Sequence, residues 1–259
     1  MSLTTLTRIA GIGSALVALA APAAAALYDA NPANFGTLQG SPSNCDDCYI
    51  GPVAFGGGQT ITFFGTTYSD LYIGSNGYVT FGSGQTEYSP VPLDQQNLAP
   101  MIAAAFTDLD SRNDASSEVY VNNGTPGQIV ATWVSMGHFS QNYGVRSTFQ
   151  IVVRSSQFAV PSGEGQIGFC YGTVTDGATA TAGFGDGLAA VNTGEVAFHN
   201  GALSALNNSN CRWYNLGSGG VPITPTGEVR DIPTLSSMGT ILLALLLAGA
   251  MAVTRRRQD

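Results

Sequence analysis

Short runs of Val, Ile, Phe, Tyr and Thr, each broken off by Gly, Asn or Ser, recur from about residue 60 to residue 171, and this rhythm narrows the possible folds most. In "STFQIVV" the residues Phe149, Ile151 and Val153 fall on one face, and "IVATWV" places Ile129, Ala131 and Trp133 together. A repeat of two residues is the signature of strands with one buried face. The pattern predicts strands at 60–64, 71–73, 78–81, 118–121, 129–134, 146–153 and 166–171, joined into a mainly β, antiparallel sandwich-like domain. Asn76-Gly77 in "GSNGYVTF" predicts a hairpin, because both residue types tolerate positive φ. "MIAAAF", residues 101–106, reads equally as a buried strand or as a helical turn.

The two ends follow different rules. Residues 1–26 carry one early charge at Arg8, an apolar stretch and the series Ala23-Ala24-Ala25-Ala26, the pattern of a signal peptide cleaved near Ala26. Residues 27–50 form a lead-in, 51–215 the β domain, and the Gly-, Pro-, Thr- and Ser-rich residues 216–231 a linker. Beyond it, "IPTLSSMG" precedes an uncharged apolar run and then Arg255, Arg256 and Arg257. Started at Leu235, the run is about 28 Å long as a helix, against a hydrocarbon core of about 30 Å. The expectation is one C-terminal transmembrane helix with its arginines in the cytoplasm and the β domain outside it. This tail resembles the IPTL-CTERM sorting domain of Gram-negative bacteria over residues 232–257. The resemblance implies recognition of Ile232, Pro233, Thr234 and Leu235 by a membrane-embedded sorting protease and exposure of the protein on the cell envelope or surface. A permanent anchor and a transit tail need the same three features, so both readings stay open.

Charge excludes one class of partner. Between Leu27 and Asp231 sixteen acidic residues face five arginines, a formal charge of −11, and the chain has no lysine. Nucleic acid binding depends on clustered Lys and Arg, so nucleic acid is not an expected partner.

Four cysteines in an exported chain imply two disulfides, for which three connectivities exist. Cys45 and Cys48, in "NCDDCY", stand close enough for a local bridge, which leaves Cys170 to pair with Cys211. A redox role for the first pair is disfavoured by Asp46 and Asp47, whose charges oppose thiolate formation.

Six stretches, "YIGSNGYVTFG", "LAPMIAAAFTDLDSR", "ATWVSMGHF", "STFQIVV", "GQIGFCYG" and "ATAGFGDG", resemble in order and spacing the NIDO domain, the nidogen-like extracellular module, over about residues 51–190. The resemblance implies a β-rich, non-enzymatic module of the cell–matrix adhesion class. It leaves the ligand, a matrix component, polysaccharide or protein, unspecified.

No Gly-x-Ser-x-Gly elbow, zinc helix or phosphate loop occurs. His138 and His199 are the two histidines, and paired carboxylates for glycan hydrolysis could be drawn from Asp108, Asp110, Asp114 and Glu118. A secreted glycan-acting hydrolase is therefore the second hypothesis, and Tyr68, Tyr72, Tyr88, Tyr120, Tyr143 and Trp133 are its candidate stacking platform. The same acidic stretch, "FTDLDSRNDASSE", offers Asp108, Asp110 and Asp114 as candidate calcium ligands, since hard cations gather oxygen ligands with tolerant geometry. Its spacing departs from an EF-hand loop, and Asp residues also brace turns through their own hydrogen bonds.

Overall fold

The computed structural model of the chain describes residues 26–93, 98–175, 179–188, 197–202 and 211–223, with backbone only at 197–202. The chain divides into two compact units, Met1–Ile223 and Thr224–Asp259, and the fold below belongs to the first. The expected signal peptide at 1–26, apart from its last residue, and the expected sorting segment at 232–257 lie outside the described residues. Among the described residues no helix is long and apolar enough to cross a membrane.

Sixteen strands and two single-turn 3-10 helices make up the described fold. In chain order they are β1 (Thr37–Leu38), β2 (Tyr49–Ala54), β3 (Ile61–Phe63), β4 (Thr66–Tyr68), β5 (Asp70–Gly74), β6 (Tyr78–Thr80), β7 (Met101–Phe106) and β8 (Leu109–Asp110). Then follow β9 (Glu118–Asn122), β10 (Gln128–His138), β11 (Asn142–Arg154), β12 (Ile167–Val174), β13 (Thr179–Gly185), β14 (Ala197–Ala202), β15 (Arg212–Leu216) and β16 (Pro222–Ile223). One sheet runs in the order β1-β9-β10-β11-β12-β15-β16, with β8 also on β10; a second runs β14-β13-β7-β6-β5-β2, and β3 and β4 form a hairpin of their own. Pairing is antiparallel throughout.

The alternating residues explain how the sheets stack. Ile129, Ala131 and Trp133 on β10, with Phe149, Ile151 and Val153 on β11, share one core with Leu71, Ile73, Val79, Ile102 and Phe184 of the other sheet. Trp133 is fully buried, stacks on Phe149 at 5.0 Å, and crosses between the sheets to donate its indole N–H to Gly74 O at 3.1 Å. Tyr171 does the same with its hydroxyl, donating to Ala104 O at 2.7 Å. Each bond satisfies a polar group that would otherwise cost free energy inside an apolar layer.

Three expectations need adjustment. "MIAAAF" is a strand, β7, paired with β6 on one side and β13 on the other. It shows no alternation because both its faces are covered: Ile102 and Ala104 face the main core, while Met101, Ala103 and Phe106 pack with Tyr78 and Leu93 on the outer side. The lead-in is built into both sheets. β1 pairs with β9, β2 is an edge of the second sheet, and Tyr28, Cys211 and Trp213 cover Val130, Val152 and Cys170 on the outer face of the larger sheet. The first residues of the linker, 216–223, also belong to the fold, because β15 and β16 close that sheet and Gly220 seats its backbone where a Cβ would meet Thr62 O at 2.0 Å.

Cys170 is bonded to Cys211 and Cys45 to Cys48. Arg154, wholly buried, lies over Trp213 at 4.7 Å and Tyr28 at 5.6 Å and pairs with Glu164, so the charge is enclosed only with partners.

Candidate functional site

Polar side chains converge at one end of the molecule, where the β7–β8 connection meets the Cys45–Cys48 loop. Asn76, in the β5–β6 turn and fully buried, organises it: its Oδ1 accepts from Leu109 N–H at 2.9 Å while its Nδ2 donates to Asp47 Oδ1 at 2.9 Å. Gly77 follows with φ +83, and a Cβ there would strike Ala105 O at 2.2 Å, so this turn admits glycine alone. Ser75 and Ser111 hold the disulfide loop from two sides. Cys48 N–H donates to Ser75 Oγ at 3.0 Å, and Cys45 N–H donates to Ser111 Oγ at 2.9 Å.

These clamps bring one carboxylate oxygen each of Asp46, Asp47 and Asp108 within 4.8 Å of one another. Burial, followed by the charges of Asp46, Asp47 and Asp110, pushes the Asp108 carboxyl up to about 6. Asp46 is also raised, by burial and then by Asp110. Its Oδ1 is buried without a hydrogen-bond partner among the described residues, while its Oδ2 lies 2.7 Å from Arg112.

The three aspartates expected to act together are divided. Asp110 is fully buried and clasps Arg112 through both oxygens, at 2.9 and 2.6 Å; burial would raise its pKa, but the Arg112 hydrogen bonds outweigh that and lower it. Asp114 binds Arg146 at 2.6 Å and Ser117 at 2.7 Å, and the Arg146 bond brings it down to about 2. An oxygen-ligated cation at this end would therefore meet Asp108 with Asp46 and Asp47, whereas Asp110 and Asp114 are spent on arginines. Glu118 accepts from the Tyr120 hydroxyl at 2.6 Å. The sequence signal for the regrouping was the Asp-Asp pair between the cysteines, which spacing along the chain does not connect to residue 108.

The β10–β11 hairpin tip sits on the same structure. Phe139 N–H donates to Asp108 O at 3.0 Å and Gln141 N–H donates to Asp110 Oδ2 at 3.0 Å. Ser140 and Gln141 have φ of 63 and 57, which non-glycine residues rarely adopt. Tyr143 donates its hydroxyl to Arg112 O. Phe139 itself is 62% exposed.

The other candidates scatter. His138 is 4% exposed, burial lowers its pKa, and neither ring nitrogen hydrogen-bonds to a carboxylate or serine among the described residues, as a triad base would. The His199 side chain lies outside the described residues. Trp133 is core, Tyr68 stacks on Phe81 at 4.9 Å, Tyr72 meets Tyr49 edge-on, and Tyr120 packs against Phe35, so these rings form no common platform. A cleft of about 280 Å³ near the β15–β16 turn is lined by Thr62, Ser156, Gln166, Leu216 and three glycines, with no carboxylate.

Two antiparallel sheets around one apolar core, braced by two disulfides and carrying an acidic loop at one end, define a disulfide-containing all-β module. The chain belongs to the NIDO-related family, whose model matches residues 24–214. It is similar to nidogen of Drosophila melanogaster, with 30% identity over 134 residues, covering 40% of this chain and 10% of that protein. The chain thus spans about a tenth of the length of that relative. No solved structure matches.

Proposed function

We propose that the protein is an exported, surface-sorted bacterial adhesion or extracellular-matrix module that binds and does not catalyse. The observation that carries this reading is the family match across nearly the whole described fold. Disulfides support an oxidising compartment. The signal-like residues 1–26 and the IPTL-type tail at 232–257 support export followed by handling at the membrane by a sorting protease. The hydrolase alternative is weakened at its own candidates, since Asp110 and Asp114 are held by arginines and the described cleft has no acid. The test is a deletion strain compared with its parent for attachment to surfaces and for cohesion of the cell layer. Reduced attachment, restored by the full gene and without release of sugars from polysaccharides, is the expected result; unchanged attachment overturns the reading. Intact masses from envelope and medium then report the tail: processing between Ile232 and Met238 is expected, and a mature protein still ending at Asp259 leaves a permanent anchor.

A further inference from the structure

We propose that the β10–β11 tip is a protein-docking surface, with Phe139 as its apolar anchor and Asp46, Asp47 and Asp108 as its acidic flank. Its partner is a polypeptide segment that offers apolar side chains beside lysines or arginines. The inference deepens the adhesion reading and rests on it.

Three observations meet at this tip. Phe139 is a large apolar side chain at 62% exposure, on a loop of three residues between His138 and Asn142. The loop is held in shape: Ser140 and Gln141 are kept at positive φ by the Asp110 carboxylate on Gln141 N–H, and the Phe139 backbone is fixed by Asp108 O. An aromatic group displayed on a restrained loop loses little conformational freedom when it is buried by a partner, which is why such residues anchor interfaces. The third observation is charge. Asp46, Asp47, Asp108, Asp110 and Asp114 stand against Arg112 and Arg146, and Asp47 and Asp108 have no arginine partner among the described residues. The residue next to Phe139 on the adjoining strand connection is Asp108 itself.

That combination selects the partner by complementarity. Anionic lipid headgroups and acidic polysaccharides are repelled by the carboxylates, and a neutral glycan leaves them without a counter-charge. Basic side chains interspersed with apolar ones satisfy both features, and charged groups at such a rim govern the association rate and its salt dependence.

The test uses the full chain and fluorescently labelled synthetic peptides in which leucines alternate with lysines and arginines, with glutamate-substituted peptides of the same length as controls. Saturable binding of the basic peptides alone is expected, weakened by raising salt and by Asp47→Asn. Phe139→Ser is expected to weaken it by about tenfold while the melting temperature stays unchanged, since truncated anchors cost that much and exposed residues carry little stability. No saturable binding, equal binding of the acidic peptides, or undiminished binding by Phe139→Ser overturns the proposal. Phe139-dependent uptake by phosphatidylcholine vesicles in place of the peptides also overturns it. A Phe139→Ser strain that attaches normally, where the deletion strain does not, removes this surface and leaves the adhesion reading standing.

Discussion

The core around Trp133 and the acidic end around Asp108 belong to one fold and are built on opposite terms. In the core, polar groups are few and most have a partner, as with the Trp133 indole on Gly74 and the Tyr171 hydroxyl on Ala104. At the acidic end, like charges are held together, and Asp108 titrates well above its ordinary value of 3.8. The first region supplies stability. The second offsets some of it, and stays assembled because Asn76, Ser75, Ser111 and a disulfide fix its backbone.

Substitutions can separate these terms. The largest effect is expected from Trp133→Ala, which removes a wholly buried ring and its bond to the facing sheet; urea unfolding should show a loss of about 3–5 kcal/mol. A loss under about 1 kcal/mol would mean that the sheets do not depend on this contact. Next is the double change Cys170→Ala with Cys211→Ala. The bridge spans 41 positions, and loop entropy predicts a cost of about 3–4 kcal/mol. The same change at Cys45 and Cys48, which lie 3 positions apart, predicts about 2 kcal/mol. It carries a second expectation absent from the core pair: with the loop released, Asp46 and Asp47 can withdraw, and the Asp108 titration followed by carboxyl NMR should move down toward 3.8.

The smallest effect has the opposite sign. Asp108 binds its proton more tightly in the folded chain, so its contribution to stability is full below about pH 4 and is lost as pH rises through about 6. Asp108→Asn should therefore stabilise the protein at about pH 7.5, by about 1 kcal/mol once solvent screening is allowed for. His138 works against Asp108 in a neighbouring window. Its pKa is lowered by burial, so its contribution is lost as pH falls below the ordinary histidine value of 6.5. The difference between wild type and Asp108→Asn across about pH 4–7 isolates the carboxylate, and two parallel stability curves would remove the crowding argument.

The two regions also differ in how far the sequence disclosed them. β10 and β11 were legible because Ile129, Trp133, Phe149 and Ile151 each face the core at alternate positions, a relation contained within single strands. β7 was not, since its burial on both sides erases the repeat. β1, β8, β15 and β16, of two to five residues, are too short to show a period and exist because a neighbour is already in place. The acidic end depends wholly on such placement. Asp108, Asp110 and Asp114 looked equivalent along the chain, yet Arg112 takes Asp110, Arg146 takes Asp114, and Asp108 turns to two residues more than sixty positions earlier.

The Cys170–Cys211 bond has a mechanical consequence. Any pull transmitted through the chain beyond Ile223 reaches β16 and β15 first, at the edge of the larger sheet, where hydrogen bonds can open in succession. The peeling stops at Cys211. From residue 212 to residue 223 it releases an arm of about 40 Å when fully extended. After that the load passes through a covalent bond into β12, by then the outermost strand of that sheet, whose register to β11 runs from Ser147↔Val174 to Val153↔Ile167. Sheared along its length, such a strand breaks many bonds together, so under tension the module should yield a short, recoverable extension before a far stiffer body takes the force.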